Sequence, residues 1–163
     1  YGDGIRVAVN ISARDLAEPG FSQQAASLVR ARGVAPERIL LEITETAVMS
    51  DEDQARSVIR ALSNEGFRIA LDDFGTGYSS LRALAGLDLD ELKIDRSFLA
   101  DILENEARQR VFLSAVELAD SLGLAVVVEG IEDDAVVGWL KRCPGLMGQG
   151  FYWGAPVTVA ELR

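Results

Sequence analysis

The chain contains no histidine among its 163 residues and only one cysteine, Cys143. The absence of histidine excludes Ser-His-Asp and Cys-His hydrolases, histidine zinc sites and phosphohistidine chemistry. A single cysteine excludes an internal disulfide and a cysteine zinc cluster, and Pro144-Gly145 directly after it predict a partly buried thiol near a turn. Any catalysis must therefore use carboxylates, lysine or a metal ion with oxygen ligands, for which Mg²⁺ or Mn²⁺ is expected.

Long apolar runs and positive charge are also scarce. No stretch approaches the roughly 20 apolar residues of a membrane span, and the first residues do not resemble a secretory leader. We therefore expect no membrane segment and a cytoplasmic location. The formal net charge of −10 disfavours binding to nucleic acid or to an anionic membrane. A small phosphate ligand remains compatible with this charge if metal ions neutralise a local acidic cluster.

Short apolar strands alternate with helical segments along the chain. Strands are predicted at 6–12, 39–45, 67–72, 90–94, 124–130 and 146–150. Helices are predicted at 21–31, from 50 or 51 to 65, at 79–84, at 106–122 and at 133–140. In the helix at 106–122, the spacing of apolar residues predicts a face made of Val111, Ala115, Leu118 and Leu122. This alternation is typical of parallel βαβ units in one α/β domain, here expected to comprise residues 1–163.

A polar residue ends nearly every predicted strand. The six residues are Asn10, Glu42, Asp72, Lys93, Glu129 and Gln149. This repetition favours a (β/α)8-type modified TIM barrel, in which reactive groups from many strands meet at one face. The alternative is an open doubly wound sheet, whose site would lie at a single crevice. Only about six βα units are present where a closed barrel has eight, so we expect an incomplete barrel that lacks its first two strands.

In a barrel, the carboxylates of Glu42, Asp72, Asp73 and Glu129 would meet at the same open end. They would carry a large uncompensated negative charge there, which one or two divalent cations would neutralise. The set suits hydrolysis of a phosphodiester at a two-metal site. Oxygen ligands to a first ion would come from Asn10, Glu42 and Asp72. Asp73, which is adjacent but displaced by the backbone, would serve a second ion.

Two of the remaining strand-end residues, Lys93 and Glu129, suit the handling of water and charge. Lys93 would fix the attacking water or offset charge in the transition state. Glu129 would act as general base if its acidic surroundings raise its pKa. Taken singly, these residues have plainer explanations: Asn10 as a turn former, Glu42 and Glu45 as half-exposed strand residues, and Lys93 as a solvated side chain.

Six short motifs occur in an order that resembles the EAL-domain cyclic-di-GMP phosphodiesterases. They are Asn10-Ile11-Ser12, Glu42-Ile43-Thr44-Glu45, Asp72-Asp73-Phe74-Gly75-Thr76-Gly77, Lys93-Ile94-Asp95, Glu129-Gly130-Ile131-Glu132 and Gln149-Gly150. The resemblance implies a modified barrel that uses Mg²⁺ or Mn²⁺ to cut one phosphodiester bond of cyclic-di-GMP, giving the linear dinucleotide pGpG. It implies metal ligation by Asn10, Glu42, Asp72 and Asp73, and catalytic roles for Lys93 and Glu129. The Glu-Ala-Leu signature of the family, expected before the Asn10 strand, is absent.

The resemblance also implies roles for residues outside the strand ends. Glu45 would steady the loop at 73–80, which the family uses in a homodimer interface. Glu132, Gln149 and Phe151 would line the substrate pocket, although core packing is the alternative for the aromatic run that begins at Phe151. Sensor or diguanylate-cyclase-like domains would precede the domain in the full protein.

Three hypotheses follow from the sequence. The first is a cyclic-di-GMP phosphodiesterase, of which this chain alone would have weak activity or none. The second is a non-catalytic cyclic-di-GMP receptor. The third is a dimerisation or signal-relay domain.

Overall fold

The computed structural model describes residues 5–76 and 84–161, and its six strands form one sheet. Every neighbouring pair of strands runs parallel, and their spatial order follows the chain. The strands are β1 (Val7–Ile11), β2 (Ile39–Thr44), β3 (Arg68–Phe74), β4 (Glu91–Ile94), β5 (Ala125–Val128) and β6 (Met147–Gly148). A doubly wound sheet would reverse its strand order at a switch point, whereas this sequential order is that of an incomplete barrel, as predicted.

Helices cross between successive strands. They are α1 (Ala13–Ala17), α2 (Phe21–Ala31), α3 (Glu45–Ser50), α4 (Glu52–Asn64), α5 (Glu106–Ser121) and α6 (Asp134–Leu140), with 3-10 turns at Pro36–Arg38 and Arg96–Leu99. Asp51, Asn105 and Asp133 begin the last three helices, because their side chains accept hydrogen bonds from free N–H groups of the first turn. Helices α1 and α3 were not predicted, and the helix predicted at 79–84 lies, except for Leu84, outside the described residues.

The two faces of the sheet have different chemistry, because successive side chains of a strand point to opposite sides. One face packs against the helices and forms the apolar core. Its strand residues include Ile43, Ile69, Leu71, Leu92, Ile94, Val126 and Val128. The alternate residues of the same strands, among them Glu42, Asp72 and Lys93, lie on the opposite face. The site therefore occupies the face that a closed barrel would turn inward.

Helix α5 buries most of the face predicted, since Ala115 is buried and Leu118 and Leu122 pack against the core, but Val111 does not belong to it. Val111 is 58% exposed, whereas Phe112 is fully buried and packs edge-on against Trp139 of α6, with ring centroids 5.4 Å apart. Ala115 and Ala119 complete the buried stripe. Over the two described ranges, no helix is long and apolar enough to cross a membrane.

Candidate metal and phosphodiester site

Lys93 lies at the centre of the candidate site, at the end of β4. Its side chain is buried, and its Nζ atom lies 2.6 Å from Glu129 Oε1 and 2.8 Å from Glu42 Oε1. A third carboxylate oxygen, Asp72 Oδ1, lies 3.1 Å away. Three separate strands and the loop after β5 therefore bring their polar ends to one point, as the sequence predicted.

The carboxylates determine the charge state of this lysine. Burial alone would lower the pKa of Lys93, but the close contacts with Glu129, Glu42 and Asp72 outweigh burial and raise that pKa above its ordinary value. Lys93 is therefore an ammonium ion at neutral pH. It donates charge-assisted hydrogen bonds and does not serve as a base.

A β-bulge sets Asp72 and Asp73 side by side opposite Lys93. The register of β3 against β4 pairs Leu71 with Leu92 and then Phe74 with Ile94, so that two aspartates face one lysine. Asp73 adopts a left-handed backbone conformation with φ of 56°, which re-aims its side chain. Two successive residues of a strand can thereby reach the same site.

Asp72, Asp73 and Glu129 form the carboxylate group best placed to hold a cation. One oxygen from each lies within 4.8 Å of the other two. Asp72 Oδ1 is buried and lies 3.1 Å from Lys93 Nζ, an ammonium group that it shares with Glu42 and Glu129. One positive charge cannot compensate all of these carboxylates, and a bound cation would supply the missing charge. The oxygen-only donor set fits Mg²⁺, Mn²⁺ or Ca²⁺.

The pKa values of these acids reflect burial and mutual repulsion. Burial raises the pKa of Asp73, and the neighbouring carboxylates of Asp72 and Asp95 raise it further. Burial also raises the pKa of Glu129, although its ion pair with Lys93 opposes the shift. The single ammonium group therefore leaves uncompensated negative charge at the site.

Asn10 and Glu42 approach the site from the first two strands. They are register partners in the β1–β2 pair, and Glu42 reaches Lys93. Asn10 is exposed and lines an adjoining pocket with Ser12 and Thr44. Glu42 contacts Lys93 at 2.8 Å but does not belong to the three-carboxylate group.

Glu45 and Gly75 connect the bulge to the body of the domain. Gly75 N–H donates a hydrogen bond of 2.9 Å to Glu45 Oε2, and the Glu45 side chain is buried. Gly75 has φ of 96°, and an added Cβ would lie only 2.0 Å from the ring of Phe98. Phe74 stacks on the same ring with centroids 6.3 Å apart. Of the predicted loop at 73–80, residues 77–80 lie outside the described residues.

Glu132, Gln149 and Phe151 meet in a pocket of about 290 Å³ that also contains Glu129. Hydrogen bonds join its walls: Ile131 N–H donates to Gln149 O at 3.1 Å, and Tyr152 N–H donates to Ile131 O at 3.0 Å. The ring of Phe151 is 65% exposed and does not belong to the core.

The sequence reasoning missed three charged residues near this site. Asp95 and Arg96 line the same pocket as Glu129, and Glu91 is buried near the start of β4. Asp95 and Arg96 directly follow a predicted strand, which is the signal that identified the other residues. No pattern along the sequence marks Glu91 as buried.

A protein-family model described as EAL domain matches residues 2–156 of the chain. The chain is 35% identical over 156 residues to the bifunctional diguanylate cyclase/cyclic di-GMP phosphodiesterase MucR of Pseudomonas aeruginosa, covering 96% of the chain and 23% of that protein. It is also 35% identical over 159 residues to the cyclic di-GMP phosphodiesterase NbdA of the same organism, covering 98% of the chain and 20% of that protein. The chain spans about a fifth to a quarter of the length of such curated relatives.

Solved structures of similar proteins also superpose closely on the chain. The MucR phosphodiesterase in complex with c-di-GMP superposes with a TM-score of 0.90 at 35% identity, covering 97% of this chain and 64% of that chain. Klebsiella pneumoniae BlrP1 in complex with manganese and cyclic-di-GMP gives a TM-score of 0.83 at 34% identity, covering 90% of this chain and 38% of that chain.

Proposed function

Because the chain belongs to the EAL domain family, we propose that it carries the active site of a cyclic-di-GMP phosphodiesterase. The reaction would hydrolyse one phosphodiester bond and release pGpG. The observation that carries this proposal is the convergence of Asp72, Asp73 and Glu129, within 4.8 Å of one another, beside the ammonium of Lys93. Relatives named as cyclic di-GMP phosphodiesterases, and a similar structure in complex with c-di-GMP, support the choice of substrate.

The proposal includes divalent cations, Mg²⁺ or Mn²⁺. Asp72 and Asp73 would hold them, with Asn10 and Glu42 as the proposed further ligands of the first ion, while Glu129 lies beside them as the base. The three carboxylates within 4.8 Å of one another support this assignment, as does the manganese in the BlrP1 complex. Bound there, a divalent cation would supply Lewis-acid polarisation of the phosphate group.

Glu129 and Lys93 have distinct roles in the proposed reaction. Glu129 accepts a proton from the attacking water as the water oxygen bonds to phosphorus. The phosphorus bond to the 3′ oxygen breaks, and that oxygen takes up a proton from solvent water. One nucleotide is left with a 3′-hydroxyl and the other with a 5′-phosphate, and Glu129 returns its proton to solvent. Lys93 orients Glu129 through its 2.6 Å contact and offsets the negative charge that develops on the phosphate oxygens.

The surrounding residues complete the proposal. Glu132, Gln149 and Phe151 would line the substrate pocket, and Glu45 would hold the loop that begins at Asp73. We also propose that residues 1–163 belong to one phosphodiesterase domain of a larger protein, that this domain forms a homodimer through the 73–80 loop region, and that it acts in the cytoplasm. Sedimentation equilibrium of the purified protein tests the dimer, and a uniformly monomeric result contradicts it.

Turnover of cyclic-di-GMP tests the function directly. The full open reading frame that contains this chain is purified, freed of metal, and assayed with and without Mn²⁺ by chromatography of pGpG. We expect metal-dependent release of pGpG that Asp72→Asn abolishes. Asp120→Asn, at an exposed position of helix α5, is the matched control and should retain activity. Binding of cyclic-di-GMP without any turnover would remove the enzyme assignment.

A receptor is the second candidate, and one observation favours it. Lys93 already pairs with Glu42, Asp72 and Glu129, so a large part of the carboxylate charge is compensated without any cation. Calorimetry in EDTA separates the two functions. A receptor binds cyclic-di-GMP equally well with and without metal, whereas the phosphodiesterase binds more tightly when Mn²⁺ is present.

A further inference from the structure

Arg96 is the one basic residue among the residues that line the pocket beside Glu129. The other charged residues of this lining are Asp95, Glu129 and Glu132. Over the described ranges, no hydrogen bond or ion pair occupies the Arg96 guanidinium, so its five donors are available to a ligand. The position of the Arg96 side chain depends on its close contact with Gly130.

Gly130 and Asp95 hold Arg96 in that position. Gly130 has φ of 65°, and a Cβ added to it would lie 2.5 Å from Arg96 Cβ and 3.2 Å from Arg96 Cδ. A side chain at position 130 would collide with the aliphatic part of Arg96, so only glycine allows this close approach. Asp95 Oδ1 accepts a hydrogen bond of 2.9 Å from Ser97 N–H, which fixes the 3-10 turn that begins with Arg96.

The pocket suits one purine base. Its volume of about 290 Å³ lies near the lower limit of small-molecule sites, a size that suits one base of the substrate. The exposed ring of Phe151 offers a stacking surface. Glu132 offers a carboxylate acceptor for the N1–H and N2–H groups of guanine, and Arg96 offers a forked pair of donors for O6 and N7.

We propose that Arg96 is a specificity-determining residue that binds the O6/N7 edge of one guanine of the substrate and rejects adenine. Adenine presents an amino group where guanine has O6, so the fork of Arg96 would face one donor and lose one of its two hydrogen bonds. This inference rests on the proposed function for the identity of the ligand. It assigns recognition of a guanine base to Arg96, in the pocket that Glu132, Gln149 and Phe151 also line.

The test compares two ligands in the full open reading frame. KM and kcat are measured with cyclic-di-GMP, and cyclic-di-AMP is tested as a competitive inhibitor through its Ki. For Arg96→Gln we expect KM to rise roughly tenfold or more, with kcat within about threefold of wild type and Ki for cyclic-di-AMP unchanged or lower, because glutamine can pair with N6 and N7 of adenine. Arg96→Lys keeps the charge but lacks the fork, so it should restore little of the lost affinity. Arg142→Gln, at an exposed site after α6, is the control.

Two outcomes overturn the proposal. An unchanged KM in Arg96→Gln shows that the side chain does not contact the substrate. An equal loss of affinity for both dinucleotides, restored by lysine, assigns Arg96 to a phosphate instead of a base. If wild-type protein binds but does not hydrolyse cyclic-di-GMP, the proposed function fails, and the same comparison of dissociation constants by calorimetry still tests Arg96. Protein that does neither overturns both proposals.

Discussion

Lys93 Nζ and Glu129 Oε1 lie 2.6 Å apart and join the ends of the adjacent strands β4 and β5. The same ammonium group also pairs with Glu42 and Asp72, while Asp73 forms no ion pair with any described residue and burial raises its pKa. Four acids and one lysine leave a negative site. This excess of charge is the physical reason for expecting a divalent cation there.

Replacing Lys93 should expose the repulsion that it compensates. Lys93→Met leaves three carboxylates clustered without a counter-ion, and loss of one partner from a buried ion pair typically costs about 3–5 kcal/mol. We expect the Tm of the metal-free protein to fall by roughly 10 °C. Added Mn²⁺ should recover more Tm in the variant than in wild type, because the cation takes over the compensation. Lys141→Met, at an exposed lysine, is the control. A Tm unchanged in Lys93→Met would contradict the ion-pair network.

Asp72→Asn should separate metal binding from folding. The amide keeps the shape of the side chain but removes the charge that faces both Lys93 and the proposed cation. We expect the affinity for Mn²⁺ to fall by more than the roughly 10–100-fold that loss of an outer-shell partner costs, with circular dichroism unchanged. Calorimetric titration of metal-free protein with Mn²⁺ measures this. Wild-type affinity in the variant would exclude Asp72 as a ligand.

Glu129→Gln should lower kcat more than it changes KM, since the proton acceptor is lost while the pocket keeps its shape. A general base contributes about 10²–10⁴-fold, so kcat should fall within that range and KM stay within about threefold. Steady-state kinetics at saturating Mn²⁺ measure both constants. Glu132→Gln, in the same pocket, is the contrasting variant and should act mainly on KM. A fully active Glu129→Gln shows that another group is the base.

The strand ends were predictable because parallel strands repeat one local pattern. Asp72, Lys93 and Glu129 each follow an apolar run, and the parallel register then brings them together without further information. The bulge that turns Asp73 toward the same site was not predictable in this way. It depends on how β3 pairs with β4, which no single segment encodes.

Other misses have similar causes. Thr44 ends β2 and also caps α3 by accepting a hydrogen bond from Ala47 N–H, so strand and helix follow each other without a turn signal. In α5, Phe112 and Val111 are adjacent apolar residues, and the contact with Trp139 decides which is buried. The position of Arg96 depends on Gly130, which lies on the next strand's loop. The last two cases are contacts between distant segments, whereas the Thr44 cap is local and is hidden by the strand that it ends.

Gly75→Ala should disrupt both the backbone and the ring beneath it. The new methyl group would require a left-handed alanine and would lie 2.0 Å from the Phe98 ring. Gly123→Ala is a matched control, because Gly123 has a similar φ of 72° but no atom within 4 Å of the added Cβ. We expect both variants to lose Tm, and Gly75→Ala to lose about 2–4 °C more for each 1 kcal/mol of added strain. Only Gly75→Ala should also lose activity, since Asp73 is two residues away. Equal Tm values would contradict the close Phe98 contact.

Glu91 should make stability depend on pH, chiefly because it is buried. It is 7% exposed, and burial raises its pKa above the ordinary 4.5, with Arg6 and Lys93 opposing the shift. An acid whose folded-state pKa is raised stabilises the protein at low pH and loses that contribution as the pH rises through this pKa. Glu91→Gln cannot ionise, so the difference in Tm between variant and wild type should move in favour of the variant from pH 4.5 to pH 8.

Hydrogen bonds hold the pKa of Asp95 below 3.8 against the effect of burial, so its contribution to stability is complete above that pH. Asp95→Asn should therefore show a constant difference in Tm over the same range. Thermal unfolding of metal-free protein at several pH values measures both, and a flat profile for Glu91→Gln would show that Glu91 is well compensated.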